Sequence, residues 1–249
     1  MGGPTRIGGT APRARHPSRE PARMRLTWYG QAAFRLVRDD GFAVICDPYT
    51  PELLGYPPIR DGADLVLTSS ADDQAHCRHD LVPGEHRWLN ALDAVRAGGT
   101  ATAAGLEVRA IEAMEIGSHP LHAPGQNAMY RFEIDGLSIA HMGDIGEPLS
   151  ERQTRFLDGA DVLLALAGGE LVIELPELLR VIGETRPRLV VPMHFRTLTY
   201  RPRSLLWIES FLSLVDDDDV DFACDSTVEL RPDTLPATGT RVLVMDYVR

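Results

Sequence analysis

Two apolar runs in the second half of the chain set the tightest limit on its fold. Asp161-Val162-Leu163-Leu164-Ala165-Leu166 and Leu189-Val190-Val191-Pro192 lack the polar alternation of a half-exposed strand, so both read as buried strands. Between them, residues 174–184 carry helical periodicity that stops before Pro187. The first run ends at Gly168-Gly169, and the second delivers Met193-His194. A chain that alternates buried strand and helix in this way belongs to the α/β class.

The first half is richer in strands. Short runs at 26–29, 33–37 and 42–46 are separated by Gly30 and by the hairpin signal Asp39-Asp40-Gly41. Asp64-Leu65-Val66-Leu67-Thr68 is another buried-strand run, and further strands are expected at 106–111, 128–134 and 137–141, the last two joined by Asp135-Gly136. Ser150 and Gln153 form a capping box for a helix over 151–157. An amphipathic helix is expected over 203–215, followed by a solvated acidic run at 216–219 and strands at 227–231 and 241–245. Many strands early and strand–helix alternation later predict two sheets sandwiched between helices.

Composition narrows the function classes. The 249 residues carry a formal charge of −11, and every basic side chain except histidine is arginine. Residues 1–24 hold five arginines and one glutamate, so the body is more acidic still. That balance argues against nucleic acid or an anionic membrane as the main partner. Residues 1–24 are rich in Gly, Pro and Arg without periodicity and read as a disordered tail or a start placed too early, leaving 25–249 as one domain. Cys46, Cys77 and Cys224 are scattered and odd in number, so neither a zinc ribbon nor a disulfide framework is expected, and a cytoplasmic setting is the default. No apolar run reaches membrane-spanning length.

Six segments then stand in a telling order. They are Tyr29-Gly30-Gln31-Ala32-Ala33-Phe34; Cys46-Asp47-Pro48; 63–68 (ADLVLT); 136–146 (GLSIAHMGDIG); Asp161-Val162-Leu163-Leu164 with Gly168-Gly169; and 187–194 (PRLVVPMH). In order and spacing they resemble the metallo-β-lactamase-fold metal-dependent hydrolases, and within them the small bacterial and archaeal Zn-dependent hydrolase branch. The resemblance implies a four-layer αββα sandwich with a metal site where the loops converge at the sheet edge. In that family an HxHxDH loop, a later histidine, a bridging Asp and a final His hold two metals, which activate a hydroxide against an ester, lactone, amide or phosphoester.

The chain departs from that pattern. Ser69, Ala71, Asp73 and Gln74 stand where the loop ligands His, His, Asp and His belong, and Gln31 replaces an early histidine. Glu115 falls where the later histidine would be, with His119 or His122 available in a shifted register. Asp144 and His194 occupy the bridging and final positions. The resemblance therefore implies a single divalent cation (Zn²⁺, Mn²⁺ or Mg²⁺) on Asp73, Asp144 and His194, or no cation at all. His76 is a substitute ligand if the loop after Asp73 turns helically. In the catalytic reading Asp73 and Glu115 serve the chemistry, acting on a small molecule in the sheet-edge cleft. In the competing reading the cleft binds a ligand or protein partner without turnover. A third reading uses Ser69 or Cys77 as a nucleophile, although no nucleophile-elbow motif frames either. His141 reads as structural. A homo-oligomer is compatible with all three.

Overall fold

Antiparallel hairpins open the first sheet of the computed structural model, which describes residues 22–71, 73–115 and 126–249. β1 (Met24–Gly30) pairs with β2 (Ala33–Val37), and β2 pairs with β3 (Ala43–Cys46). β1 starts at Met24, which is fully buried and lies opposite Leu230. The expectation for the segment before residue 22 lies outside the described residues. After the short helix α1 (Pro51–Leu54), β4 (Leu65–Thr68) runs parallel to β3, and β5 (Arg87–Asn90) runs parallel to β4. The sequence does not mark β5, because an edge strand whose first two residues are exposed has no apolar face to betray it. Asn90 then caps α2 (Ala91–Arg96) by accepting the Leu92 amide.

The second sheet begins as an antiparallel meander of β6 (Thr100–Ala103), β7 (Leu106–Ala113), β8 (Asn127–Ile134) and β9 (Leu137–His141). Asp135 and Gly136 join β8 to β9 with φ of 49° and 76°, the double left-handed conformation of a tight two-residue hairpin. From there the strands run parallel. α3 (Glu151–Leu157) opens with both halves of the Ser150/Gln153 capping box. β10 (Val162–Leu166), α4 (Leu175–Thr185) and β11 (Leu189–Met193) follow. α4 buries Leu175, Leu178 and Val181 at three-residue spacing and ends at Arg186, held at φ 46°. The chain closes with α5 (Ile208–Leu212), β12 (Val220–Phe222), β13 (Thr227–Leu230) and β14 (Arg241–Val244).

The helix expected over 203–215 is much shorter, because its first turn is used elsewhere. Arg203 takes φ 58°, the Leu206 amide donates to Gly168 O, and the Leu206 carbonyl accepts the Arg196 amide. Backbone committed to neighbouring loops cannot also form helical bonds. The finished sheets run β13-β1-β2-β3-β4-β5 and β12-β14-β11-β10-β9-β8-β7-β6. They are the two inner layers of a four-layer αββα sandwich. No helix among the described residues is long and apolar enough to cross a membrane.

Candidate metal centre

The polar residues of interest lie just past strand ends along one edge of the sandwich. Gln31 follows β1, Asp47 follows β3, and residues 69–71 and 73–76 follow β4. Glu115 follows β7, Asp144 follows β9, and His194 follows β11. Carboxyl ends of strands are where open α/β sheets leave a crevice. Three of these residues hold left-handed backbone without being glycine: Gln31 (φ 51°), Asp47 (φ 43°) and His194 (φ 53°). Such conformations cost energy and persist where surrounding structure fixes them. Glycine is needed beside two of the loops. A Cβ on Gly168 would lie 2.1 Å from the His194 carbonyl oxygen, and one on Gly143 would lie 2.6 Å from Asn127 Oδ1. Asn127 Oδ1 accepts the Asp144 amide at 3.0 Å.

Three side chains converge. His76 Nε2 lies 3.1 Å from His194 Nε2 and 3.3 Å from Asp144 Oδ2, and His194 Nε2 lies 3.3 Å from Asp144 Oδ1. Tetrahedral ligands at the usual zinc–nitrogen and zinc–oxygen bond lengths of about 2.0–2.1 Å stand about 3.3 Å apart. The spacing therefore fits one cation with three protein ligands. All three residues are buried, at 0%, 5% and 8% exposure for His76, His194 and Asp144. A second group, Asp73, Glu115 and Asp144, has its oxygens within 4.8 Å of one another, so Asp144 belongs to both.

Asp47 organises the site from behind. Its Oδ2 accepts His76 Nδ1–H at 2.9 Å and the Ser69 hydroxyl at 2.5 Å, while Oδ1 accepts the Ser69 amide at 2.8 Å and the Tyr130 hydroxyl at 3.0 Å. A carboxylate behind one ring nitrogen fixes the tautomer, leaving the Nε2 lone pair of His76 aimed at the centre. His141 is a scaffold residue. Its Nε2–H donates to Ala32 O, its Nδ1 accepts the Gly143 amide, and its ring stacks on Tyr130 with centroids 4.7 Å apart.

Electrostatics express the crowding of carboxylates. Burial by itself would lower the pKa of His76, but Asp144, Asp47 and Asp73 together push it up to about 10. Burial raises Asp144 to about 7, and Glu115, Asp73 and Asp47 add to it against the pull of His76. Burial also opposes a charge on Asp47, yet the His141 and His76 rings and the Ser69 hydroxyl outweigh it and hold that carboxyl below the ordinary range. Burial, reinforced by His76, holds His194 well below the usual imidazole range. One shared proton on a pair of facing imidazoles is what their 3.1 Å separation permits.

The expected residues are distributed as follows. Asp144 and His194 meet, but the partner that completes their triangle is His76, not Asp73. Asp73 Oδ1 accepts the Ala75 amide at 2.8 Å, and its carbonyl accepts the His76 and Cys77 amides. That turn swings His76 inward, while Asp73 Oδ2 stays 3.9 Å from His76 Nε2. Glu115 stands with Asp73 beside Asp144. His119 and His122 lie outside the described residues. Gln74 is exposed and turned toward Thr50, and His79 stacks on Trp88, centroids 3.9 Å apart. Ser69 is fully buried with its hydroxyl committed to Asp47, which does not suit an activated nucleophile. Sequence reasoning misses the role of Asp47, although Cys46-Asp47-Pro48 is visible as a motif. The signal for His76 is its three-residue spacing from Asp73.

Known proteins agree with this architecture. The profile of the family described as "Beta-lactamase superfamily domain" matches residues 25–194. A "UPF0173 metal-dependent hydrolase" of Carboxydothermus hydrogenoformans is 23% identical over 208 residues, covering 70% of this chain and 85% of that protein. One from Anaeromyxobacter dehalogenans is 26% identical over 216 residues, covering 73% and 78%. Among solved structures, a candidate Zn-dependent hydrolase of the metallo-beta-lactamase superfamily from Thermotoga maritima superposes with a TM-score of 0.69 at 28% identity, covering 90% of this chain and all of that one. A metallo hydrolase from Ignicoccus hospitalis, at 22% identity and a TM-score of 0.60, shares the fold over 84% of this chain and 99% of its own. From a profile match over most of its length and the sandwich that carries it, this chain belongs to the metallo-β-lactamase-fold metal-dependent hydrolase superfamily.

Proposed function

We propose that this chain is a hydrolase that holds one divalent cation on His76, Asp144 and His194 and acts on a small ester, lactone or phosphoester. The observation that carries the reading is the convergence of three side chains: the two Nε2 atoms lie 3.1 Å apart, and the Asp144 carboxylate reaches each of them at 3.3 Å, Oδ2 to His76 and Oδ1 to His194. Its chemistry supports it as well. Two imidazoles and a carboxylate suit Zn²⁺ or Mn²⁺, and three protein ligands leave a position open. A divalent cation bound there supplies the charge that polarises a carbonyl or phosphoryl oxygen and acidifies water.

The chain's own groups do the rest. Asp47 keeps the His76 lone pair on the cluster. Asp73 and Glu115 put carboxylates beside Asp144, in place to accept a proton at the open side of the site. The His194 amide, donating to the Gln31 carbonyl at 2.9 Å, ties the second sheet's contribution to the first sheet.

The test is elemental analysis of protein grown with Zn²⁺ or Mn²⁺, beside His76→Ala, Asp144→Ala and Asp73→Ala, with hydrolysis of p-nitrophenyl acetate, a homoserine lactone and bis(p-nitrophenyl) phosphate. One equivalent of metal is expected in the parent and in Asp73→Ala, little in the other two, and EDTA-sensitive turnover of at least one substrate. Metal retained in His76→Ala would refute the ligand set. A metal-free parent whose ligands bind regardless of EDTA would instead favour the non-catalytic binding reading.

A further inference from the structure

Gln31 occupies an unusual position for a surface-turn residue. It is 1% exposed in the turn between β1 and β2, and it holds φ 51° where glycine would be unstrained. Its backbone is pinned from two sides, since its carbonyl accepts Trp28 Nε1–H at 3.1 Å and the His194 amide at 2.9 Å. Its side chain is thereby delivered to the metal cluster, where the amide nitrogen contacts His194 Nε2. His194 Nε2 is thus the atom that Gln31, His76 and Asp144 all approach.

In this orientation the amide side chain is engaged by His194 and by the Tyr200 hydroxyl, but its oxygen is left over. Gln31 Oε1 is buried and has no hydrogen-bond partner among the described residues, while the NH₂ group faces an imidazole nitrogen whose lone pair the proposed cation would use. The oxygen and nitrogen of a carboxamide differ little in shape, and which end faces which neighbour follows from bonding partners. With a cation on the triangle, N–H groups aimed at it are repelled, and the oxygen is attracted. A half-turn of the amide exchanges the two ends without moving the backbone.

Resting on the three-ligand reading above, we infer that Gln31 is a fourth protein ligand, giving its amide oxygen to the same divalent cation. The shell becomes two imidazoles, one carboxylate and one neutral oxygen. The amide oxygen is the weakest donor of the four, so it is the one a substrate oxygen displaces. Gln31 then both closes the resting site and marks the face on which substrate enters.

Cobalt(II) tests this without any substrate. The full chain, Gln31→Asn and Gln31→Glu are titrated with Co²⁺ in competition with a chromophoric chelator, and the visible ligand-field spectrum is recorded. Asn tolerates left-handed backbone at least as well as Gln and keeps the amide, but its arm is one methylene shorter. Gln31→Asn should bind about 10- to 100-fold more weakly, as variants that perturb a metal site commonly do, with weaker, shifted ligand-field bands. Gln31→Glu should bind at least as tightly as the parent, with near-parental bands. Parental affinity and spectrum in Gln31→Asn overturn the role of Gln31 alone. A parent that takes up no cobalt overturns the three-ligand reading and this inference together.

Discussion

At the scale of single residues, the site depends on a carboxylate that stands behind the ligand triangle. Asp47 has no exposed surface and four donors on its two oxygens. Its φ of 43° is one that asparagine adopts readily, so Asp47→Asn changes charge while sparing the backbone. The substitution removes the anion that holds the His76 tautomer. It leaves an NH₂ group facing donors, a mismatch inside a buried network. Cation affinity should fall about 10- to 100-fold by chelator competition. The cation-free protein should lose about 3 kcal/mol in denaturant unfolding, the usual scale for breaking a buried charged pair. Parental affinity in a folded Asp47→Asn protein would show that Asp47 does not orient His76.

At the scale of elements, the same strands that carry the proposed ligands make tight demands on their neighbours. The turn after β10 passes so close to the end of β11 that a Gly168 Cβ would meet the His194 carbonyl at 2.1 Å and Leu205 Cδ2 at 3.1 Å. Gly168→Ala should therefore push His194 out of place, costing about 1–3 kcal/mol as overpacking does and weakening cation binding with it. Gly183 gives the contrast. It sits inside α4, where an added Cβ would meet nothing within 4 Å, so Gly183→Ala should add about 0.5–1 kcal/mol and leave metal binding alone. Thermal and denaturant unfolding of the two variants check both signs.

Elements also show what the sequence can and cannot reveal. The α3 capping box, the Asp135-Gly136 hairpin and the buried runs of β10 and β11 are local signals, and each is legible because adjacent residues determine it. The short α5 is not, because the Leu206 backbone is claimed by Gly168 and Arg196, partners outside the helix it would have opened. The site divides in the same way. Asp144 and His194 sit at the ends of legible strands. His76 escapes the family frame because it lies two residues beyond the expected loop histidine, and only the Asp73 turn shows that it points inward. Gln31 reads as a loss, since a glutamine in place of a histidine reveals nothing until its amide is seen against His194.

At the scale of the whole molecule, the cluster joins the two halves of the sandwich. Gln31, Asp47 and His76 extend from strands of the six-stranded sheet, whereas Glu115, Asp144 and His194 extend from the eight-stranded one. A cation held there, as proposed, would tie the sheets together, and its binding energy would add to the stability of the entire fold. Proton linkage sets how that gain varies with pH. Without a cation, His76 has its pKa raised from 6.5 to about 10, so its contribution is fully present below pH 6.5 and is lost as pH rises through 10. Asp144, raised from 3.8 to about 7, contributes in the same direction, its share present below pH 3.8 and lost as pH rises through 7. Asp47, held below 3.8, opposes them only in acid, where its contribution disappears as pH falls. From about pH 5.5 to 9 the loss of protons from His76 and Asp144 lowers the stability of the cation-free protein, and His194, held below the imidazole range, offsets part of that loss below pH 6.5. Binding requires the protons on His76 and Asp144 to leave, so affinity rises over the same range. The difference in Tm between protein saturated with Zn²⁺ or Mn²⁺ and protein in EDTA should therefore widen steadily from about pH 5.5 to 8.5. It should be absent in His76→Ala at every pH. A Tm difference that stays flat across that range would mean that the ligands carry no protons to release, and that the charge balance of the seam is set by groups other than His76 and Asp144.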